Sequence, residues 1–168
     1  MKLLVIRHAI AEDRNTWART GEDDTLRPLT VEGRKKMRAV ARGLARVGPT
    51  PDLLATSPLT RAAQTADILH RAYGGVDTMV LEQLTPERHP ADLLGWLRTC
   101  ATDSTIGVVG HEPHLSDLLS WLLTGREGSF IELKKGGACL LAFQGNARAG
   151  SAMLRWALTP AQLRRLGS

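Results

Sequence analysis

The sequence predicts an α/β fold, a three-layer sandwich with a mostly parallel central sheet and helices on both faces. Three observations carry that expectation. Short apolar runs of strand length recur along the chain, apolar stripes of helical period lie between them, and the two kinds alternate four times.

Residues 3–6, Leu-Leu-Val-Ile, read as a buried strand. Residues 11–24 are polar and read as a long loop. Thr30 is a good N-cap for a helix in which Met37, Val40, Ala41 and Leu44 recur at i, i+3, i+4 and i+7. Arg34, Lys35, Arg38 and Arg42 mark its wet face, and Gly48-Pro49 stops it. Residues 52–56 form a second strand. Ser57-Pro58 then opens a helix, with Ser57 as N-cap and Pro58 at the first helical position, where its missing N–H is not needed. Gly74-Gly75 ends that helix. An edge strand over 78–81 and a helix over 90–101 follow. Residues 106–110 are a buried strand with small residues at its exit. Pro113 opens a helix whose stripe of Leu115, Leu118, Leu119, Leu122 and Leu123 is core. Two late strands, 138–143 and 152–158, precede a short basic helix over 160–166. With 168 residues and no repeat, low-complexity tract or linker, one domain over 1–168 is expected.

Apolar residues are 43% of the chain and charged residues 23%, which suits a packed core and argues against disorder. No apolar run approaches the ~20 residues needed to cross a bilayer. The first residues lack both a secretory apolar stretch and a cleavage site, so a cytoplasmic location is expected. The net charge of +5 and the pI of about 9.8 point to an anionic partner without choosing among nucleic acid, acidic protein and phosphate. Charge is the only support for a nucleic-acid-binding domain. Aromatics are 4%, no stacking motif is present, and no nucleic-acid partner is expected. Much of the excess charge sits on helix faces such as Arg34-Lys35-Lys36 and Arg164-Arg165, which are solvated or suited to an acidic partner protein. Cys100 and Cys139 read as reduced, buried thiols. No His/Cys cluster has zinc-ligand spacing, and neither metal nor other cofactor is expected.

In such a sheet, ligands bind at the carboxyl ends of the strands. Arg7-His8 follows the first predicted strand. Ser57, with Arg61 one helical turn on, follows the second, and His111 follows the strand ending at Gly110. Two imidazoles and two guanidiniums thus converge on one rim from separate segments. Arginine offers a planar donor fork that matches phosphoryl oxygens and keeps its charge. Histidine near neutral pH has one ring nitrogen free to attack while the other holds a proton. Phosphoryl transfer asks mainly for position and positive charge, and the arginines supply that charge. Asp23 and Asp24 either orient Arg27 or, as the preferred reading, are solvated acids. Lys134 and Lys135 have no assigned place.

These segments resemble the histidine phosphatase superfamily, and within it the small SixA-type phosphohistidine phosphatases. The matching stretches are Leu4-Val5-Ile6-Arg7-His8-Ala9, Arg27-Pro28-Leu29-Thr30-Val31-Glu32-Gly33, Ser57-Pro58-Leu59-Thr60-Arg61-Ala62-Ala63-Gln64-Thr65, Leu84-Thr85-Pro86 and Val109-Gly110-His111-Glu112-Pro113, in the family's order. The resemblance implies that His8 is the nucleophile that becomes transiently phosphorylated. It implies that Arg7, Arg61 and His111 complete the phosphate pocket, with His111 donating to the phosphoryl oxygens as an imidazolium; Ser57 is counted among the substrate-binding residues.

Two departures stand out. Ala9 replaces the superfamily's glycine, which is tolerable where φ is negative. The proton-donor glutamate of mutase-like members is replaced by Gln83. Glu82, the candidate donor, is one residue off and in an extended segment points the other way. A phosphate ester expels an alkoxide, which needs an acid, whereas phosphohistidine expels an imidazole that protonates near neutral pH. The expected function is therefore a metal-independent phosphatase acting on a phosphohistidine-bearing protein. A general small-molecule phosphomonoesterase using Glu82 is the alternative, and a nucleic-acid-binding domain the remote one.

Overall fold

The computed structural model describes residues 1–168. Six strands form one sheet in the order β3-β2-β4-β1-β5-β6: β1 (Lys2–Arg7), β2 (Leu53–Thr56), β3 (Asp77–Val80), β4 (Thr105–Gly110), β5 (Ala138–Ala142) and β6 (Met153–Leu158). β3, β2, β4 and β1 pair in parallel, and β5 runs antiparallel to both β1 and β6. This is the mostly parallel sheet that the alternating elements predict.

The period-2 geometry of β1 divides the core. Leu4 and Ile6 face α2 (Val31–Val47), α3 (Thr60–Ala72) and α6 (Pro160–Leu166), where Met37, Val40, Leu44, Leu69 and Leu163 are buried. Leu3 and Val5 face α4 (Pro90–Leu97) and α5 (His114–Thr124), against Leu93, Leu97, Leu115, Leu118 and Leu122. A run of four apolar residues is needed because both faces of β1 are covered. β3 lies at the edge, and its residues are exposed. Cys139 is buried and Cys100 half-buried, both as free thiols.

Four local expectations are corrected. Residues 11–24 are not one loop. They carry α1 (Arg14–Ala18), capped by the Asp13 side chain, and lead into a 3-10 turn at Asp24–Leu26 capped by Asp23. Ser57 is not the cap of α3. That helix starts at Thr60 with Leu59 as N-cap, so Pro58 precedes it; the Leu59 N–H instead donates to Ser57 Oγ at 3.3 Å. The helix at 90–101 ends at Leu97. Residues 82–84 are a 3-10 turn rather than an extended segment, because the turn buries Leu84 and its end is closed by the Thr85 hydroxyl donating to the Glu82 carbonyl. The alternation that turned Glu82 away from Gln83 therefore does not apply.

Candidate active site

β1, β2 and β4 end side by side. Their exits bring Arg7, His8, Arg61 and His111 to the wall of a single cavity of about 280 Å³. The rings of His8 and His111 lie 5.0 Å apart, centroid to centroid. The expected convergence is thus present in space.

His8 is held from behind. Its Nδ1 lies 2.7 Å from the Ala9 carbonyl, which accepts only if Nδ1 carries the proton. That tautomer leaves Nε2 with a free lone pair. Burial, opposed by the Ala9 bond and reinforced by the charges of Arg61 and Arg7, pushes the pKa of His8 down to about 3, so the ring is neutral. Ala9 has no positive φ, so its methyl group is accommodated. Its N–H donates to Thr65 Oγ1 at 3.0 Å, and that hydroxyl donates to the Arg61 carbonyl at 2.7 Å. One buried threonine therefore fixes the segment that carries His8 to the helix that carries Arg61.

Ser57 is fully buried, and its Oγ lies 2.9 Å from Nε2 of His111. Having accepted from Leu59, the hydroxyl can donate to that nitrogen. Burial first, then the neighbouring His8 ring and the Arg61 charge, pushes the His111 pKa down to about 2. Burial among cations thus favours the neutral ring, and an anion beside it acts in the opposite sense, toward imidazolium.

Asp24 is the residue most misjudged from sequence. Its Oδ1 accepts from Arg27 Nε at 2.8 Å, its Oδ2 lies 3.2 Å from Arg61 Nη2, and its backbone carbonyl accepts from Arg61 Nη1 at 2.9 Å. It orients two buried guanidiniums, and these contacts hold its carboxyl below the usual range despite the opposing effect of burial. The i, i+3 spacing of Asp24 and Arg27 was the available signal. Asp23 is the solvated acid of the pair, capping Thr25. Lys135 reaches the cavity wall beside Arg7 and His8, and burial together with Arg7 lowers its pKa.

The electrostatics carry a distinctive mark. Nε of Arg7, Nε of Arg61 and Nδ1 of His111 are buried without a hydrogen-bond partner. Buried donors left unpaired cost about 1–3 kcal/mol each. All three belong to residues that line the cavity shared with His8, so positive and donor groups crowd one wall.

Glu82 does not line this cavity. It lies on the wall of an adjoining cleft of about 840 Å³, which shares Arg14, Arg61 and Pro86 with the cavity.

Fold and site together define an α/β protein in which two histidines and two arginines meet on one cavity at the strand ends. Comparison with known proteins agrees. The family model of the histidine phosphatase superfamily (branch 1) matches residues 3–95. An uncharacterized protein of Picosynechococcus sp. is 37% identical over 139 residues, covering 82% of each chain. Among solved structures, the protein histidine phosphatase SixA complexed with tungstate matches with a TM-score of 0.82 at 22% identity, over 97% of this chain and 99% of that one. A phosphoserine phosphatase from Entamoeba histolytica in complex with phosphoserine matches at 0.72 and 20%, over 96% and 98%. The alpha-ribazole phosphatase from Shigella flexneri matches at 0.63 and 18%, over 95% and 97%. The chain belongs to the histidine phosphatase superfamily, branch 1. No helix is long and apolar enough to cross a membrane.

Proposed function

We propose that the chain is a SixA-type phosphatase that hydrolyses protein phosphohistidine through a phosphorylated His8, without a metal ion. The observation that carries this reading is the meeting of Arg7, Arg61 and His111 with His8 on one cavity wall, the two imidazole rings 5.0 Å apart and Nδ1 of His8 tied to the Ala9 carbonyl so that Nε2 keeps its lone pair. Tungstate, the ion bound in the SixA structure, is a tetrahedral oxyanion like phosphate.

Nε2 of His8 attacks phosphorus in line with the bond to the leaving group. The substrate P–N bond breaks, and its electron pair stays on the departing imidazole, which is protonated from water or leaves already protonated. Arg7, Arg61 and His111 hold the equatorial oxygens, where charge is greatest. Water then attacks the phosphorus on His8, the second P–N bond breaks, and phosphate leaves with the neutral ring restored. The adjoining cleft takes the substrate side chain and the segment that bears it.

A phosphohistidine leaving group titrates near 6.5 and needs little acid help. A sugar alkoxide needs a donor within reach. Glu82, exposed on the cleft wall beside Arg61, supports the second reading, a phosphomonoesterase in which it protonates an ester oxygen. The experiment compares turnover of a phosphohistidine peptide, sugar phosphates and para-nitrophenyl phosphate, with and without chelator, in wild type and Glu82→Gln. The first reading expects the phosphohistidine peptide to turn over best, unaffected by chelator or by Glu82→Gln. Comparable rates on sugar phosphates that collapse in Glu82→Gln establish the second.

A further inference from the structure

The side chain that follows His111 has no cationic partner. Glu112 directs its carboxylate at peptide groups: Oε1 accepts from the Leu133 N–H at 3.1 Å, while Oε2 accepts from the Ser116 N–H at 3.3 Å and from the Ser116 hydroxyl. Leu133 is buried in a stretch between α5 and β5 that has neither helix nor strand to hold it. Its carbonyl accepts from Nη1 of Arg7 at 2.6 Å. The chain of contacts therefore runs from the start of α5, through the carboxylate and one residue of backbone, to one arm of an active-site guanidinium whose Nε is buried and unpartnered.

We propose that Glu112 is a positioning residue for Arg7. By clamping the Leu133 peptide to α5 it fixes one arm of the planar fork, and the remaining donors then face the anion in a set direction. This rests on the phosphoryl-pocket reading above. The arrangement also explains how a carboxylate is tolerated on the wall of an anion site. Three donors converge on its two oxygens and disperse its charge, so it organises the pocket without repelling the ligand. A fork held in place loses less freedom when it binds, and that difference appears as affinity.

The test measures tungstate binding by calorimetry, and kcat and KM on para-nitrophenyl phosphate across pH. The proteins are wild type, Glu112→Gln, Glu112→Ala and Ser116→Ala, together with Arg7→Ala alone and combined with Glu112→Ala. The proposal expects Glu112→Ala to weaken tungstate binding about tenfold and to raise KM, as fits loss of one well-made charged hydrogen bond. Glu112→Gln keeps the acceptor for Leu133 and stays within about threefold. In the Arg7→Ala background the Glu112→Ala effect shrinks to about twofold or less, because the two act through one contact. Ser116→Ala loosens only one oxygen, gives about a threefold loss, and carries the comparison if the alanine variant unfolds. Equal losses with and without Arg7 overturn the proposal. So does a Glu112→Gln variant as impaired as Glu112→Ala with one limb of the pH profile removed, which assigns a proton-transfer role instead. Wild type that binds tungstate while Glu112→Ala and Ser116→Ala bind it equally well overturns the relay alone. Wild type that fails to bind tungstate overturns the pocket with it.

Discussion

At the scale of single residues, the site is a set of fixed donors around one unprotonated nitrogen, and the supporting contacts are as specific as the donors. Asp24 shows this. Replacing it with alanine strips Arg61 of the Oδ2 contact and Arg27 of its Nε partner. Leaving a buried guanidinium nitrogen unpaired costs about 1–3 kcal/mol. Chemical denaturation of Asp24→Ala is expected to show that loss, with kcat/KM reduced about tenfold because Arg61 is then aimed only by its bond to the residue-24 carbonyl. Unchanged stability and activity would show that Arg61 is held by other means. Asp24 was hard to weigh from sequence for a physical reason. An acid flanked by Asp23 and Thr25 in a polar stretch looks solvated unless one knows that the chain folds back over α3 and brings Arg61 within reach.

At the scale of elements, the site depends on how tightly β1, α2 and α3 approach one another. Gly33, in the first turn of α2, passes so close to the Ile10 backbone that an added Cβ would stand 2.0 Å from the Ile10 carbonyl oxygen. Gly33→Ala therefore forces α2 away from the segment after His8, and thermal unfolding is expected to show a loss of about 2 kcal/mol or more. A variant as stable as wild type would mean that the two segments slide apart freely. Thr65→Val removes the hydroxyl that joins Ala9 to Arg61 and strands a buried N–H, at a cost of about 1–3 kcal/mol. Here kcat is expected to fall more than KM rises, since His8 and Arg61 lose their common anchor; unaltered kinetics would contradict that coupling.

The strands and long helices were legible in the sequence because burial imposes periods of 2 and 3.6, and the strand exits marked His8, Ser57, Arg61 and His111. The rest is set by tertiary contacts that leave no periodic trace. Ser57-Pro58 has the composition of a helix start, yet the Ser57 hydroxyl turns to His111 and the helix begins three residues later. The turn at 82–84 likewise follows from burying Leu84 rather than from any pattern in its three residues.

At the scale of the whole molecule, three buried histidines lie within one region and all have pKa values lowered chiefly by burial: His8 to about 3, His111 to about 2, and His114 in the same direction. Neither ring nitrogen of His114 has a partner. A histidine whose folded pKa lies below its ordinary 6.5 takes up protons more readily in the unfolded chain. The stability due to these groups is thus fully present above about pH 6.5 and declines as pH falls toward the folded values. Each such group adds a slope of up to about 1.4 kcal/mol per pH unit, so unfolding scans between pH 7 and 5 are expected to show a steep fall. A flat profile would contradict the burial of neutral rings. A bound tetrahedral dianion acts in the opposite sense by favouring imidazolium. Sulfate is therefore expected to bind more tightly as pH falls, with net proton uptake seen by calorimetry in buffers of different ionisation enthalpy; proton release would oppose the proposed pocket.

In the proposed function His8 carries the phosphoryl group between substrate and water. Rapid mixing with phosphoramidate, followed by quenching in alkali and mass spectrometry of peptides, addresses it most directly. The expected result is an acid-labile, alkali-stable phosphate on the peptide containing His8, absent from His8→Ala. Turnover by wild type with no phosphorylated His8 at any mixing time, or turnover retained by His8→Ala, would contradict it.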